Sequence, residues 1–105
     1  MGAISCAQNL TASVRPYVGN SYQLIYHPWD KMLDEYGRGT ERVRDDVRRA
    51  PKEGIRSIWD NAHAEAALHY LEAKSLIPAE CKNGVVIGVS RQYEGGSGST
   101  VFTCK

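Results

Sequence analysis

The side chains of this sequence best suited to moving a proton or holding a phosphate are His63, His69, Asp60, Glu65, Arg91 and Glu94. His63 and His69 fall six residues apart in one segment of helical pattern. That separation turns them about 240° from each other around a helix axis. They do not form the i,i+4 pair used by helical zinc sites, so no metal ligand set is expected. His69 lies on the apolar stripe, which predicts a core or boundary histidine with its hydrogen bonds satisfied. His63, with Asp60 or Glu65 nearby, is expected as an exposed acid or base. Glu94, Arg91 and one of these histidines would supply the residue types that small secreted ribonucleases use. No spacing ties them together, and no catalytic residue is assigned. A small secreted hydrolase or nuclease is kept as an alternative that requires Glu94 to meet His63 or His69 in one cleft.

The run Gly95-Gly96-Ser97-Gly98 has the composition of a phosphate cradle but the wrong context. A phosphate loop leads from a strand into a helix N-terminus, whereas this one joins two β-type runs. No cofactor is expected. The loop reads as a pliable hairpin tip, and Arg91, Tyr93, Glu94, Gly95, Gly96 and Ser97 are the expected binding residues, able to enter a partner protein's cleft. Tyr93 is the expected exposed anchor, since tyrosine buries much area at small entropy cost. Trp59 is expected in the core.

Seven of the thirteen Lys and Arg residues stand between Arg38 and Arg56. Glu41, Asp45, Asp46 and Glu53 are interleaved with them. Arg42 with Asp46, and Asp45 with Arg49, have the i,i+4 spacing that brings opposite charges together on a helix. The segment reads as a solvated, self-paired helix. Its alternative is the nucleic-acid or nucleoprotein surface of an intracellular regulator, which needs arginines on a face free of Asp45 and Asp46.

The elements that must position these groups follow from periodicity. Ile55, Ile58, Trp59, Ala62, Ala66, His69 and Tyr70 recur at steps of three and four, predicting a long helix over 52–73. Its alanines allow close approach of a neighbour. Trp29, Met32, Leu33 and Tyr36 predict a helix at about 28–36, opened by Pro28 and stopped by Gly37 and Gly39. Thr40 is the expected N-cap of a helix through Arg49, which ends before Pro51. Residues 1–20 show no sustained period and read as irregular or briefly helical, and 21–27 as a strand or the end of a helix. Val85 to Val89 and Thr100 to Cys104, joined by the glycine-rich loop, read as an antiparallel hairpin over about 85–104. Such a hairpin needs the long helix or the 21–27 segment to pack on.

The expected fold is therefore α+β, with a helical N-terminal and central part packed on a C-terminal antiparallel β-hairpin. At 105 residues, 42% hydrophobic and 24% charged, the chain has the size of one domain, taken as 1–105. The net charge of +1 gives no long-range field to recruit nucleic acid. The longest apolar stretch is far too short to span a bilayer.

Three cysteines allow three single disulfides. A turn centred near Gly96 would set Cys104 opposite a position close to Gly88, so Cys81 would have to fold back from the helix exit to reach Cys104. That pair is still preferred, because it staples a terminus that otherwise frays. Cys6 is the competitor. Gly2 with Cys6 loosely fits a lipidated N-terminus, Ala3-Ile4-Ser5-Cys6 a lipoprotein cleavage site, and Asn9-Leu10-Thr11 a glycosylation sequon. The reading reached is a small periplasmic or secreted, non-enzymatic protein that binds another protein, such as an inhibitor or immunity protein. The alternatives are the hydrolase or nuclease and, in the cytoplasm, the regulator.

Overall fold

A computed structural model describes residues 11–105; Gly2, Cys6 and the Asn9 sequon lie outside them. The order of elements is β1 (Thr11–Pro16), β2 (Ser21–His27), α1 (Trp29–Tyr36), α2 (Thr40–Arg48), a 3-10 turn (Lys52–Gly54) continuing into α3 (Ile55–Ala73), β3 (Val85–Gln92) and β4 (Gly98–Cys104). The four strands form one antiparallel sheet in the order β1-β2-β4-β3. The fold is α+β, with the long helix and the C-terminal hairpin at the expected residues.

Residues 11–16 differ from the sequence reading. The irregular or helical segment is strand β1, which pairs along β2 from Thr11 opposite His27 to Pro16 opposite Tyr22. Its pattern is weak because Pro16, Arg15 and Ser13 carry no β signal. Pairing with β2 and burial of Ala12 and Val14 against the core decide its conformation instead. Pro16 sits at the end of an edge strand, where a missing N–H is tolerated.

Successive strand residues alternate between the two faces of the sheet. Leu24, Tyr26, Phe102 and Thr100 are fully buried on one face, with Val85 and Ser90 nearly so. These meet Trp29, Met32 and Leu33 of α1, Val43 of α2, and Ala62, Ala66, Ala67, Tyr70 and Leu71 of α3 in one core. On the other face, Gln23, Ile25, Val101 and Thr103 are partly exposed and Val86 and Val89 largely so.

The buried stripe of α3 runs through residues 62/63, 66/67 and 70/71, rotated from the expected one. His69, expected on the apolar stripe as a core or boundary histidine, is exposed off the rotated stripe, although its Nδ1–H is satisfied by the Tyr36 carbonyl at 2.9 Å. Close packing is built into the α1–α3 contact. A Cβ on Gly37 would stand 2.9 Å from the Ala66 Cβ, so a glycine faces an alanine there. The α2 N-cap is Gly39, not Thr40. The Thr40 N–H is taken by the Asp34 carboxylate of α1 at 2.8 Å, so a neighbouring helix supplies the acceptor that a cap would have given.

After α3 the chain folds back. The Cys81 N–H donates to the Pro78 carbonyl and the Gly84 N–H to the Cys81 carbonyl. These two turns bring Cys81 Cα to 4.8 Å from Cys104 Cα, with the sulfurs at bonding distance. The hairpin register also moves Cys104 toward Cys81. The turn centres on Gly95, with Gln92 opposite Gly98, and an irregularity between Ile87 and Ser90 takes up one more residue. Cys104 thus lies opposite Val85 instead of near Gly88. The Tyr22 hydroxyl donates to the Glu80 carboxylate, tying the same loop to β2. That bond holds the Glu80 carboxyl below its ordinary range.

Two stability predictions follow from this packing. The Cys81→Ser, Cys104→Ser double variant should lose roughly 3 kcal/mol in urea unfolding, as loop closure over 23 residues implies. In the parent chain, alkylation without reductant should mark one thiol of three. The Tyr26 hydroxyl is fully buried, finds no hydrogen-bond partner among the described residues, and has its pKa pushed up by burial. Tyr26→Phe should therefore keep stability or raise it by about 1 kcal/mol, whereas a comparable loss would show that the hydroxyl is bonded.

Candidate functional site

The expected binding residues lie at one end of the sheet. Gly95 and Gly96 both have φ near +90°, as a tight strand-to-strand turn requires. The turn is closed by the Tyr93 N–H donating to the Ser97 carbonyl at 2.9 Å. It is also tethered, since the Trp29 N–H donates to the Gly96 carbonyl at 2.7 Å. A Cβ on Gly96 would meet the His27 ring at 3.2 Å. The tip is thus anchored on the β2–α1 corner, which leaves Arg91, Tyr93, Glu94 and Gly95 exposed and half-buries Gly96 and Ser97.

Two of these residues join a larger surface. Arg91 and Tyr93, with Tyr17, Val89 and Val101, line a groove of about 310 Å³ on the sheet face away from the helices. Val89 is 73% exposed and Tyr93 41%. Tyr93 is oriented by a hydrogen bond between its hydroxyl and Ser99 Oγ at 2.9 Å. Tyr17 arrives from the β1–β2 turn, a contribution that sequence reasoning missed because only the sheet order brings that turn beside β4.

A second concavity is built on the helical side from residues that the sequence reading kept apart. His63, expected to be exposed, is 3% exposed. Its ring lies nearly parallel to the Trp29 indole at a centroid distance of 4.8 Å and packs against Trp59 at 6.1 Å. Its Nδ1–H donates to the Trp59 carbonyl one turn earlier at 2.8 Å. Flat stacking on Trp29 and inclined packing against Trp59 bury the imidazole, and the small alanines beside it on α3 let Trp29 come that close. Trp29 is gripped from its other side by β4, since a Cβ on Gly98 would fall 2.1 Å from the indole. Trp59, expected in the core, is half-buried at its edge.

These rings wall a cleft of about 420 Å³. Arg44 and Thr40 of α2, Arg56 and Asp60 of α3, and Gln92 of β3 complete it. Arg56 donates to Asp60 at 3.3 Å, and Arg44 to Glu41 at 2.9 Å. Both ion pairs are largely exposed and therefore weak. The Thr40 hydroxyl is buried and has no hydrogen-bond partner among the described residues.

Glu94 is not among the residues that line this cleft, and His69 is held at Tyr36, so the set required by the hydrolase alternative does not converge there. The charged helix is self-paired, but at i,i+3: Arg44–Glu41, Arg48–Asp45 and Arg49–Asp46. Arg38, from the preceding loop, takes the second oxygen of Asp46, which leaves Arg42 without the expected i,i+4 partner. The arginines of 38–56 thus share their surface with Asp45 and Asp46. No group of three or more His, Cys, Asp or Glu side chains that could hold a metal occurs among the described residues, and no described helix is long and apolar enough to cross a membrane.

The grip of Gly98 on Trp29 is open to a direct test. Gly98→Ala should lower stability by about 3 kcal/mol or more, because the clash meets a ring that cannot withdraw. Gly54→Ala, with open space around it, should change stability by less than about 0.5 kcal/mol in the same denaturation assay. No protein-family model, curated protein or solved structure matches this chain.

Proposed function

We propose that this chain is a non-enzymatic protein that binds another protein, as an inhibitor or immunity protein does, through the sheet groove beside the tethered hairpin tip. One observation carries the reading. Among the described residues, the large apolar side chains that stay exposed, Tyr17, Val18, Val86, Val89 and Tyr93, come from the turns and strands of the sheet and none from the helices. An uncovered surface with tyrosine anchors and a flanking arginine has the composition of a protein-binding patch. The Gly96 tether adds to it, because a loop already ordered loses less entropy on binding. Export to the periplasm or beyond is part of the proposal. Its support is the Cys81–Cys104 pair, since structural disulfides persist in oxidising compartments.

A photoreactive phenylalanine analogue at position 93, irradiated in cells that make the protein, should yield one adduct of defined mass. The same analogue at exposed position 65 should not, and Val89→Asp should abolish the adduct at 93. Equal labelling at both positions, labelling that survives Val89→Asp, or no adduct would overturn the reading.

A further inference from the structure

We infer that the cleft between α2, α3 and β3 binds a small ligand made of a flat ring carrying a phosphate, such as a nucleoside monophosphate. This site is separate from the sheet groove, and either can fail without the other. Its volume of about 420 Å³ lies within the range of about 300–1,000 Å³ usual for small-molecule sites.

The wall chemistry selects the ligand class. Trp59 is half-buried and its ring lines the cleft, where an aromatic base could stack. Its orientation is constrained from within, because the carbonyl of the same residue holds His63, whose ring packs on the indole. Arg44 and Arg56 reach the cleft from two different helices, each paired with one carboxylate, Glu41 and Asp60. Guanidinium groups suit phosphate oxygens in bidentate geometry, and the existing partners, exposed Glu41 and half-buried Asp60, are single-contact ones that an anion can displace. The exposed Gln92 amide adds a donor and an acceptor for the edge of a ring or sugar. An apolar ligand would leave both arginines idle, and a cationic one would find Glu41 and Asp60 already paired with them.

The test is titration of the full chain with adenosine monophosphate, followed by tryptophan fluorescence and calorimetry, beside adenosine, inorganic phosphate and a single-stranded adenine trinucleotide. Saturable quenching by the monophosphate is expected, with adenosine and phosphate each binding at least about tenfold more weakly. Arg44→Ala and Arg56→Ala should each weaken binding by about tenfold or more without moving the thermal midpoint. Asp60→Asn should tighten it, because a like charge leaves the wall. A trinucleotide that binds more tightly than the monophosphate would keep the ring-plus-phosphate chemistry and place its source at a nucleic-acid end; weaker binding would assign it to the free nucleotide. Equal binding of adenosine and its monophosphate, weakening by Asp60→Asn, or no saturable signal at millimolar monophosphate would overturn the proposal.

Discussion

The burial of one indole organises this structure. Trp29 lies between the bare backbone of Gly98 and the ring of His63, with Tyr26 edge-on at 6.1 Å. The backbone N–H of the same residue fixes the hairpin tip at Gly96. A single residue at the start of α1 therefore joins β2, β4 and α3 through its ring and the tip through its backbone. Large aromatic rings dominate core energetics through the area they remove from water, so the elements that share this one are fixed relative to each other. Both concavities depend on it. The tether orders the tip beside the sheet groove, and the stacked His63 forms the inner wall of the helical cleft.

The sheet order imposes the second constraint. The last strand in the chain, β4, is interior, hydrogen-bonded to β2 on one side and β3 on the other. The β2–β4 ladder joins residues 72 to 82 positions apart, from Tyr26 with Gly98 to Ser21 with Thr103. Such a pairing closes a long loop before it gains contacts, and its entropy cost must be offset by the core that it completes. The Cys81–Cys104 pair acts at this point, holding the end of the interior strand to the loop that leaves α3. The irregularity in β3 makes this reach possible by shifting the register toward Cys81.

Polar groups follow the same layering. Inside, Ser90 and Thr100 face each other across β3 and β4 and share a hydrogen bond at 2.9 Å, so two buried hydroxyls satisfy one another. On the helical side, the charges of α2 pair mainly with one another at i,i+3 spacing and contribute little individually. The exceptions matter more for recognition. Arg44 and Arg56 are held by one carboxylate each, exposed Glu41 and half-buried Asp60, at a cleft with aromatic walls where a stronger anion can compete for them.

Much of the fold was legible in the sequence. The 3.6-residue period gave α1 and α3, β-branched runs around a glycine loop gave the terminal hairpin, and the position of Cys81 just before the first hairpin strand and of Cys104 at the chain end suggested their pairing. These signals are local, because they depend on which side chains recur along one element. Strand β1 was not legible, since its conformation comes from a partner strand and not from its own residues. The cleft was hidden for a related reason. Trp29, Arg44, Arg56, His63 and Gln92 belong to four elements with no shared spacing, and His63 looked exposed because packing against two indoles cannot be read from a helical wheel. Sequence by itself determined which elements form and roughly where they end, because propensity and periodicity act over a few residues. Only the tertiary structure decided the interior place of β4, the register that brings the cysteines together and the meeting of rings and arginines, because each depends on contacts between residues distant in the chain.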